Sequence, residues 1–504
     1  MFRTLLVSLP LVLISQVIGQ EVRNLDKSLE QPHAYGCRHH RLNVPPNHSR
    51  FPQLMTSTVQ IGRDGFAVSY KKRPEAKAVA FAVGWHTDPD PAVAAGKAAV
   101  RALEKLGCPA KALIFYEYFP KTIRDADGKE KEMPDVAKEK AVPPAVLAAA
   151  GPVPVIGCRA RSLVNGGTML ANTVAVLAIG GDAVSCRAVK AKLDDDRRAV
   201  GTVIAERLKK VDDLKLVVAL SEMSLSFETR EGVSVEDFIR GLLDTAGKEV
   251  TLFGGNCMPN DYPDDKQGVQ FIGGEMLSGH VVALGIGGPI GVHANHTNEF
   301  VPSDQTVTVT KAEDKWVYEF DGRPATEVYR KLRGMKPDEE FTSDWQHPIG
   351  VVVADDKVYL RMVLAENKQK KGLRFVAAVP VGTKVKILSG GSDAQAILDS
   401  AGQGIVESLR KAGDGKPLIA LLSDCCARGG RLRQFRKADE CEVRQAILPA
   451  IRQKSEFPIF GFYAWGELGP IAGPFRGLRC MYQQHTFVSI VLTEVKQTDR
   501  QRLQ

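Results

Sequence analysis

No two cysteines stand at CxxC spacing, and zinc-ribbon spacing is absent, which excludes the common structural zinc sites. No Walker A sequence occurs. Gly285-Ile286-Gly287-Gly288-Pro289 lacks the GxGxxG spacing of a dinucleotide site, and Pro289 argues against a helix start there. Neither GxSxG nor HExxH is present, so the familiar hydrolase signatures are missing. His293 and His296 stand three apart in a non-helical stretch, which is weak evidence for a metal. No module for DNA or RNA appears, and the 67 basic and 59 acidic residues are interspersed, so the net charge of +8 reads as colloidal solubility. Beyond the first twenty residues, no stretch reaches the roughly 20 apolar residues that a spanning helix needs. The nine cysteines are odd in number, and a 504-residue chain needs no staples, so most are expected to be small buried hydrophobes.

What is present is ordinary globular material, 44% hydrophobic and 25% charged. Arg3 gives the N-terminus a short positive start. Leu5 to Ile18 is mostly apolar, and Val17 and Gly19 precede Gln20 as a cleavage site would require. Residues 1–19 therefore read as a secretory signal peptide, with export to the periplasm or the medium; the alternative is an uncleaved anchor. Residues 20–74 read as an N-terminal arm or linker. Its Cys37, His39 and His40 could bind a metal, but no further ligand lies at the usual spacing, which favours a solvated arm.

From residue 75 a helix–strand–helix–strand block occurs three times. The first copy has a helix Val93 to Leu106, a strand Ala112 to Tyr118, a charged loop Thr122 to Lys140, a helix Val142 to Ala150, a run ending at Gly157 and a strand Thr173 to Ile179. The second has Val200 to Leu208, Leu214 to Leu220, a helix Val235 to Leu243 capped by Ser234, a run ending at Gly254 and His280 to Ile286. The third has Gly404 to Ala412, Pro417 to Leu422, a helix Cys441 to Arg452 capped by Asp439 with Glu442, a run ending at Gly461, Gly469 and Gly473 in a turn, and Thr486 to Leu492. Ala112 to Gly157, Leu214 to Gly254 and Pro417 to Gly461 are 45, 40 and 44 residues apart. The expected fold is α/β, a layered helix-on-sheet fold with three repeats; plain α/β alternation without common ancestry is the alternative. Residues 75–286 hold the first two copies. Residues 287–400 form an antiparallel, hairpin-rich insertion, with turns at Asp321-Gly322 and Val381-Gly382, and residues 401–492 the third copy within 287–495.

Residues with chemical potential cluster in the third copy. Cys426 beside Arg428, just beyond a buried strand, is either a thiolate held by a cation or a packed cysteine with a structural arginine. Phe460 to Glu467 interleaves aromatics with glycines. Glu467 could grip an amine with Arg428 on a carboxylate, as for an amino acid, or be salt-bridged within an aromatic core. Arg428, Arg431, Arg433, Arg436 and Lys437 form a basic run expected on a solvated loop or helix face.

These residues resemble the FIST family of sensory domains over residues 75 to 492. The N-terminal part matches at Val155-Ile156-Gly157-Cys158 and Phe253-Gly254-Gly255. The C-terminal part matches at Glu319 to Ala325, Pro348-Ile349-Gly350, Tyr359-Leu360-Arg361, Cys426-Ala427-Arg428, Gly461-Phe462-Tyr463 and Gly466-Glu467. The resemblance implies sensing of a small ligand, with amino acids the suggested class, and a pocket of Arg361, Cys426, Arg428, Tyr463 and Glu467. Two departures bear on the ligand: Gln483-Gln484 replaces the family's His-Asn, and Arg159-Ala160-Arg161 replaces small hydroxyl residues. No kinase, cyclase or methyl-acceptor output follows in this sequence. No catalytic residue, metal or cofactor is expected, no nucleic-acid partner, and no membrane contact apart from the signal peptide. A thiol enzyme using Cys426 and a partner-binding scaffold are the rival functions.

Overall fold

The computed structural model describes residues 57–62, 65–70, 77–119, 122–124, 130–132, 136–165, 167–168, 171–222, 233–258, 268–336, 339, 347–353, 357–390, 394–435, 442–453 and 456–495. The expected signal peptide, the Cys37-His39-His40 group and the Asp439 cap lie outside the described residues. Residues Met55–Gln504 form one compact unit.

Strands β1 (Ser57–Gly62) and β2 (Gly65–Tyr70) pair as an antiparallel hairpin within the expected arm. The first α/β sheet follows. It opens with β3 (Ala80–Thr87) and helix α1 (Pro91–Leu106). Asp90 caps α1 by accepting from the Ala92 and Val93 N–H groups, and Gly107 closes it in the left-handed region. The inward face of α1 is a stripe of Ala94, Ala95, Ala98, Ala99 and Ala102, small enough for the helix to lie close on the sheet. Next come β4 (Ala110–Tyr118), α2 (Val142–Ala150), β5 (Val155–Arg159), the short pair β6 (Ser162–Val164) and β7 (Gly167–Thr168), and β8 (Thr173–Gly180). Every residue of β8 is buried, as a strand covered on both faces requires.

The second block comprises β9 (Ser185–Lys192), α3 (Arg197–Leu208), β10 (Leu214–Ser221), α4 (Val235–Ala246), β11 (Thr251–Asn256), the hairpin β12 (Gln270–Ile272) and β13 (Glu275–Leu277), and β14 (His280–Gly287). Ser234 caps α4 as expected, 3.1 Å from the Glu236 nitrogen. Strand β15 (Ile290–Thr297) is counted with the insertion by the sequence pattern, yet it pairs along its length with the last strand of the third sheet. The insertion itself is an eight-stranded, antiparallel sheet. It contains β16 (Phe300–Glu313), β17 (Trp316–Phe320) with the two-residue strand Arg323–Pro324 beside it, helix α5 (Ala325–Arg333), β18 (Ile349–Val352), β19 (Val358–Arg361), β20 (Val363–Asn367), β21 (Gly372–Phe375) and β22 (Lys384–Gly390).

The third block comprises α6 (Ala394–Ala412), β23 (Pro417–Cys425), α7 (Cys426–Phe435), α8 (Leu448–Arg452), β24 (Ile459–Ala464), β25 (Glu467–Phe475), β26 (Leu478–Gln483) and β27 (Phe487–Glu494). Two expectations change here. The helix expected over 441–452 has a π turn at Val443–Ile447 before α8, where Pro449 supplies no N–H and the Leu448 N–H reaches back to Val443. Gly469 and Gly473 lie inside β25 rather than in a turn.

The three α/β sheets share one pairing scheme. An edge strand (β3, β9, β15) pairs antiparallel with the last strand (β8, β14, β27), which pairs antiparallel with β4, β10 or β23, which in turn pairs parallel with β5, β11 or β24. Each parallel strand then receives a hairpin from another part of the chain. β12–β13 adds to β5, β25–β26 adds to β11, and β6–β7 adds to β24. The exchange runs around a closed cycle, so every sheet is completed by another block's hairpin. Gly157, Gly254 and Gly461 occupy matching places in the three parallel strands. A Cβ there would fall 2.7 Å from Phe115 O, 1.9 Å from Ala219 O and 2.4 Å from Leu422 O, the register partner in each case.

Side chains of all three sheets meet in one central core that includes Tyr116, Ile156, Val218, Phe253, Leu421 and Phe460. Tyr116 stacks on Phe460 with centroids 4.6 Å apart. Separate apolar clusters join the first sheet to α1 and α2, the second to α3, α4 and the insertion, and the third to α6 and α8. Among the described residues no helix is long and apolar enough to cross a membrane.

Candidate functional site

Strand β23 ends in Ser423-Asp424-Cys425 and turns directly into α7, which places Arg428 one helical turn above Asp424. Its guanidinium is fully buried. Nε donates to Asp424 Oδ1 at 2.8 Å, and Nη1 donates to Glu299. Nη2 donates to Glu442 Oε1 at 2.9 Å, Ser400 Oγ at 3.0 Å and the Ile397 carbonyl at 3.1 Å. Tyr463, on β24, donates its hydroxyl to the other Glu442 oxygen at 2.9 Å. Arg431 reaches Glu299 at 3.2 Å and lies over the Phe300 ring. Gly429 permits this packing, since a Cβ there would come within 2.7 Å of the Tyr463 ring.

Three carboxylates thus face two guanidinium groups out of contact with water. Burial first, then the neighbouring Glu442 carboxylate, pushes the Asp424 carboxyl well above its ordinary range. Burial also raises Glu299, against the pull of Arg428. The cluster is therefore suited to hold a proton and approach neutrality, as a buried charge group must. Arg428 and Arg431 are buried, which corrects the solvated face expected for that part of the basic run.

The five expected site residues do not form one group. Arg428 and Tyr463 converge on Glu442. Cys426, half-buried at the start of α7, packs against the outer core of the third sheet. Glu467 opens β25, opposite Gly255 and Gln483, and accepts from the Thr486 N–H at 3.2 Å. Its carboxyl is pushed well above its ordinary range by burial first and then by Cys425. Arg361 lies elsewhere, at the end of β19. It donates to Glu236 at the start of α4 and to the Tyr482 carbonyl at 2.6 Å, and stacks on Tyr359. This arginine clips the insertion to the second sheet and to the hairpin that β25 and β26 add to it.

Glu299 and Glu442 escaped the sequence reading. Glu442 stands where a capping residue was expected, and Glu299 is 129 residues from Arg428. The signal that points to them is physical: an arginine just beyond a buried strand, if buried, must find carboxylates.

A cavity of about 690 Å³ opens beside this network, where β15 and the first residues of the insertion face α6. Thr297, Phe300 and Gln403 line it. Glu299, next to Phe300, turns inward to Arg428, and the Thr297 hydroxyl donates to the Ser400 carbonyl at 2.7 Å. The cavity wall and the buried network are therefore the same stretches of chain. None of the five expected residues lines this cavity, nor the cavities of about 460 and 450 Å³ at the first and second sheets. Among the described residues no group of three His, Cys, Asp or Glu side chains is placed to hold a metal.

Comparison with known proteins places this architecture. The FIST N domain matches residues 133–323 and the FIST C domain residues 325–470. An uncharacterized protein of Methanocaldococcus jannaschii is 26% identical over 263 residues, 49% of this chain and 48% of the relative. Uncharacterized proteins of Mycobacterium tuberculosis (27% over 180 residues, 34% of this chain and 44% of the relative) and Mycobacterium bovis (26% over 178 residues, 33% and 42%) are also similar. The chain thus spans less than half the length of these curated relatives. With both domains matched in order across the two halves of the fold, the chain belongs to the FIST family, whose domains are in general sensory and bind small ligands.

Proposed function

We propose that this protein is an exported sensor of a small ligand, with amino acids the first class to test, and that the ligand enters the cavity between β15 and α6. One observation carries the site. The cavity's wall residues Thr297, Phe300 and Gln403 lie on the same short segments as Glu299 and Ser400 of the buried Arg428 network, which supports coupling between ligand and network. Its volume of about 690 Å³ falls within the usual range for small-molecule pockets. In this account Arg428 and Tyr463 support the site from behind, Glu467 and Cys426 fix the ends of the strands that carry it, and Arg361 ties in the insertion. The three sheets are read as copies of one unit, of which the third acquired the ligand-facing insertion.

A thermal-shift screen of the full chain against amino acids and small metabolites tests the function. A stabilising ligand at millimolar concentration is expected, because a ligand bound only by the folded state raises its stability by mass action. A complete absence of shifts across the screen would count against a sensor. Export is tested by N-terminal sequencing of the protein from periplasm and medium. A chain beginning at Gln20 is expected, and one retaining Met1 in the cytoplasm contradicts it.

A further inference from the structure

The chemistry of the cavity narrows the ligand class further, on the basis of the sensory reading above. Four charged side chains line it: Lys357, Glu407, Arg410 and Lys411. Glu407 is already engaged by Arg410 through two bonds of 2.7 Å, so these two offer little net charge. Lys411 donates to the Ala294 carbonyl at 2.8 Å and to Asn295 Oδ1 at 3.1 Å. An ammonium has three N–H donors, so one remains for a ligand. Lys357 enters no ion pair among the described residues. The other wall is apolar, with Phe300, Val358 and Ile471. Glu299, next to Phe300 in the chain, is turned into the Arg428 network.

We propose that this cavity binds an organic carboxylate, its carboxylate between Lys411 and Lys357 and its carbon body against Phe300, Val358 and Ile471. Lysines provide point charges rather than a planar fork, which suits a single anionic head without strict geometry. Among the described residues that line the cavity the one carboxylate, Glu407, is held by Arg410 and does not receive an ammonium. An α-amino group on the ligand therefore contributes nothing, and the des-amino acid binds at least as well as the amino acid.

Isothermal titration of the full chain with valerate, phenylacetate, the matching primary amides, norvaline, phenylalanine and inorganic phosphate tests this. The carboxylates are expected to bind, the amides roughly tenfold more weakly or not at all, and added salt to weaken the carboxylates selectively. Lys411→Met and Lys357→Met are each expected to weaken carboxylate binding roughly three- to tenfold with the melting temperature unchanged, since both side chains are exposed. Amides that bind as well as acids, phosphate that binds as tightly as the organic acids, or amino acids that bind while their des-amino analogues do not, would each overturn the inference and leave a small-ligand sensor standing. Loss of all binding in this panel, with other metabolites stabilising the chain, would do the same. Silence across the panel and the wider screen alike removes the sensory reading itself.

Discussion

Arg428 makes hydrogen bonds to three carboxylates, a hydroxyl and a carbonyl while fully buried. Removing one partner of such a group leaves uncompensated charge in the interior. Arg428→Met is therefore expected to cost about 3–5 kcal/mol in urea unfolding, far more than an exposed ion pair such as Lys371 with Glu327 contributes. Glu467 gives a second test, through pH. Its folded pKa is raised, so the stability it contributes is fully present below the ordinary value of 4.5 and is lost as pH rises towards the raised folded value. Glu467→Gln, which keeps the neutral shape, should flatten the fall in stability over that window, read as melting temperature against pH. The sequence flagged Arg428, Tyr463 and Glu467 because charge and aromatics beside buried strands are unusual. It could not place Glu299 among their partners, because nothing local distinguishes a glutamate that will meet an arginine 129 residues away.

Elements with strong periodicity were legible, and edges were not. Helix α2 and strands β17 and β23 lie where apolar patterning puts them, because both faces or one whole stripe are buried. The edge strands β9 and β15 were missed as members of their sheets, since their side chains are mostly half-exposed and their alternation is weak. The exchanged hairpins contain strands as short as two or three residues, too short to show any period. The glycines of the parallel strands were noticed by spacing alone, and the structure supplies their reason. Gly254→Ala would put a methyl group 1.9 Å from the Ala219 oxygen at a φ of 141°, and Gly461→Ala one 2.4 Å from the Leu422 oxygen. Each is expected to destabilise by at least about 2 kcal/mol by chemical denaturation. Gly430→Ala, in α7 with nothing within 4 Å, should instead stabilise by about 0.5–1 kcal/mol.

At the scale of the whole molecule, the cyclic exchange of hairpins makes each sheet depend on another block. Strand β24 has β6 on one side and β23 on the other, so residues 401–495 alone would expose a parallel strand's edge and one face of the central core. That fragment is expected to lack a cooperative thermal transition by circular dichroism, although it holds three of the six strands of the third sheet. The α/β class, with helices packed on sheets and an antiparallel region between the second and third, follows from sequence pattern because each layer needs its own apolar face. Closure of the exchange does not, since it depends on contacts between distant segments. The central claim is that ligand in the cavity between β15 and α6 is sensed by the network behind it. Hydrogen–deuterium exchange of the full chain, with and without the ligand that most stabilises it, tests this directly. The account predicts slower exchange in residues 290–300, 394–412 and 424–432 together. Protection confined to other segments, or none, would contradict it.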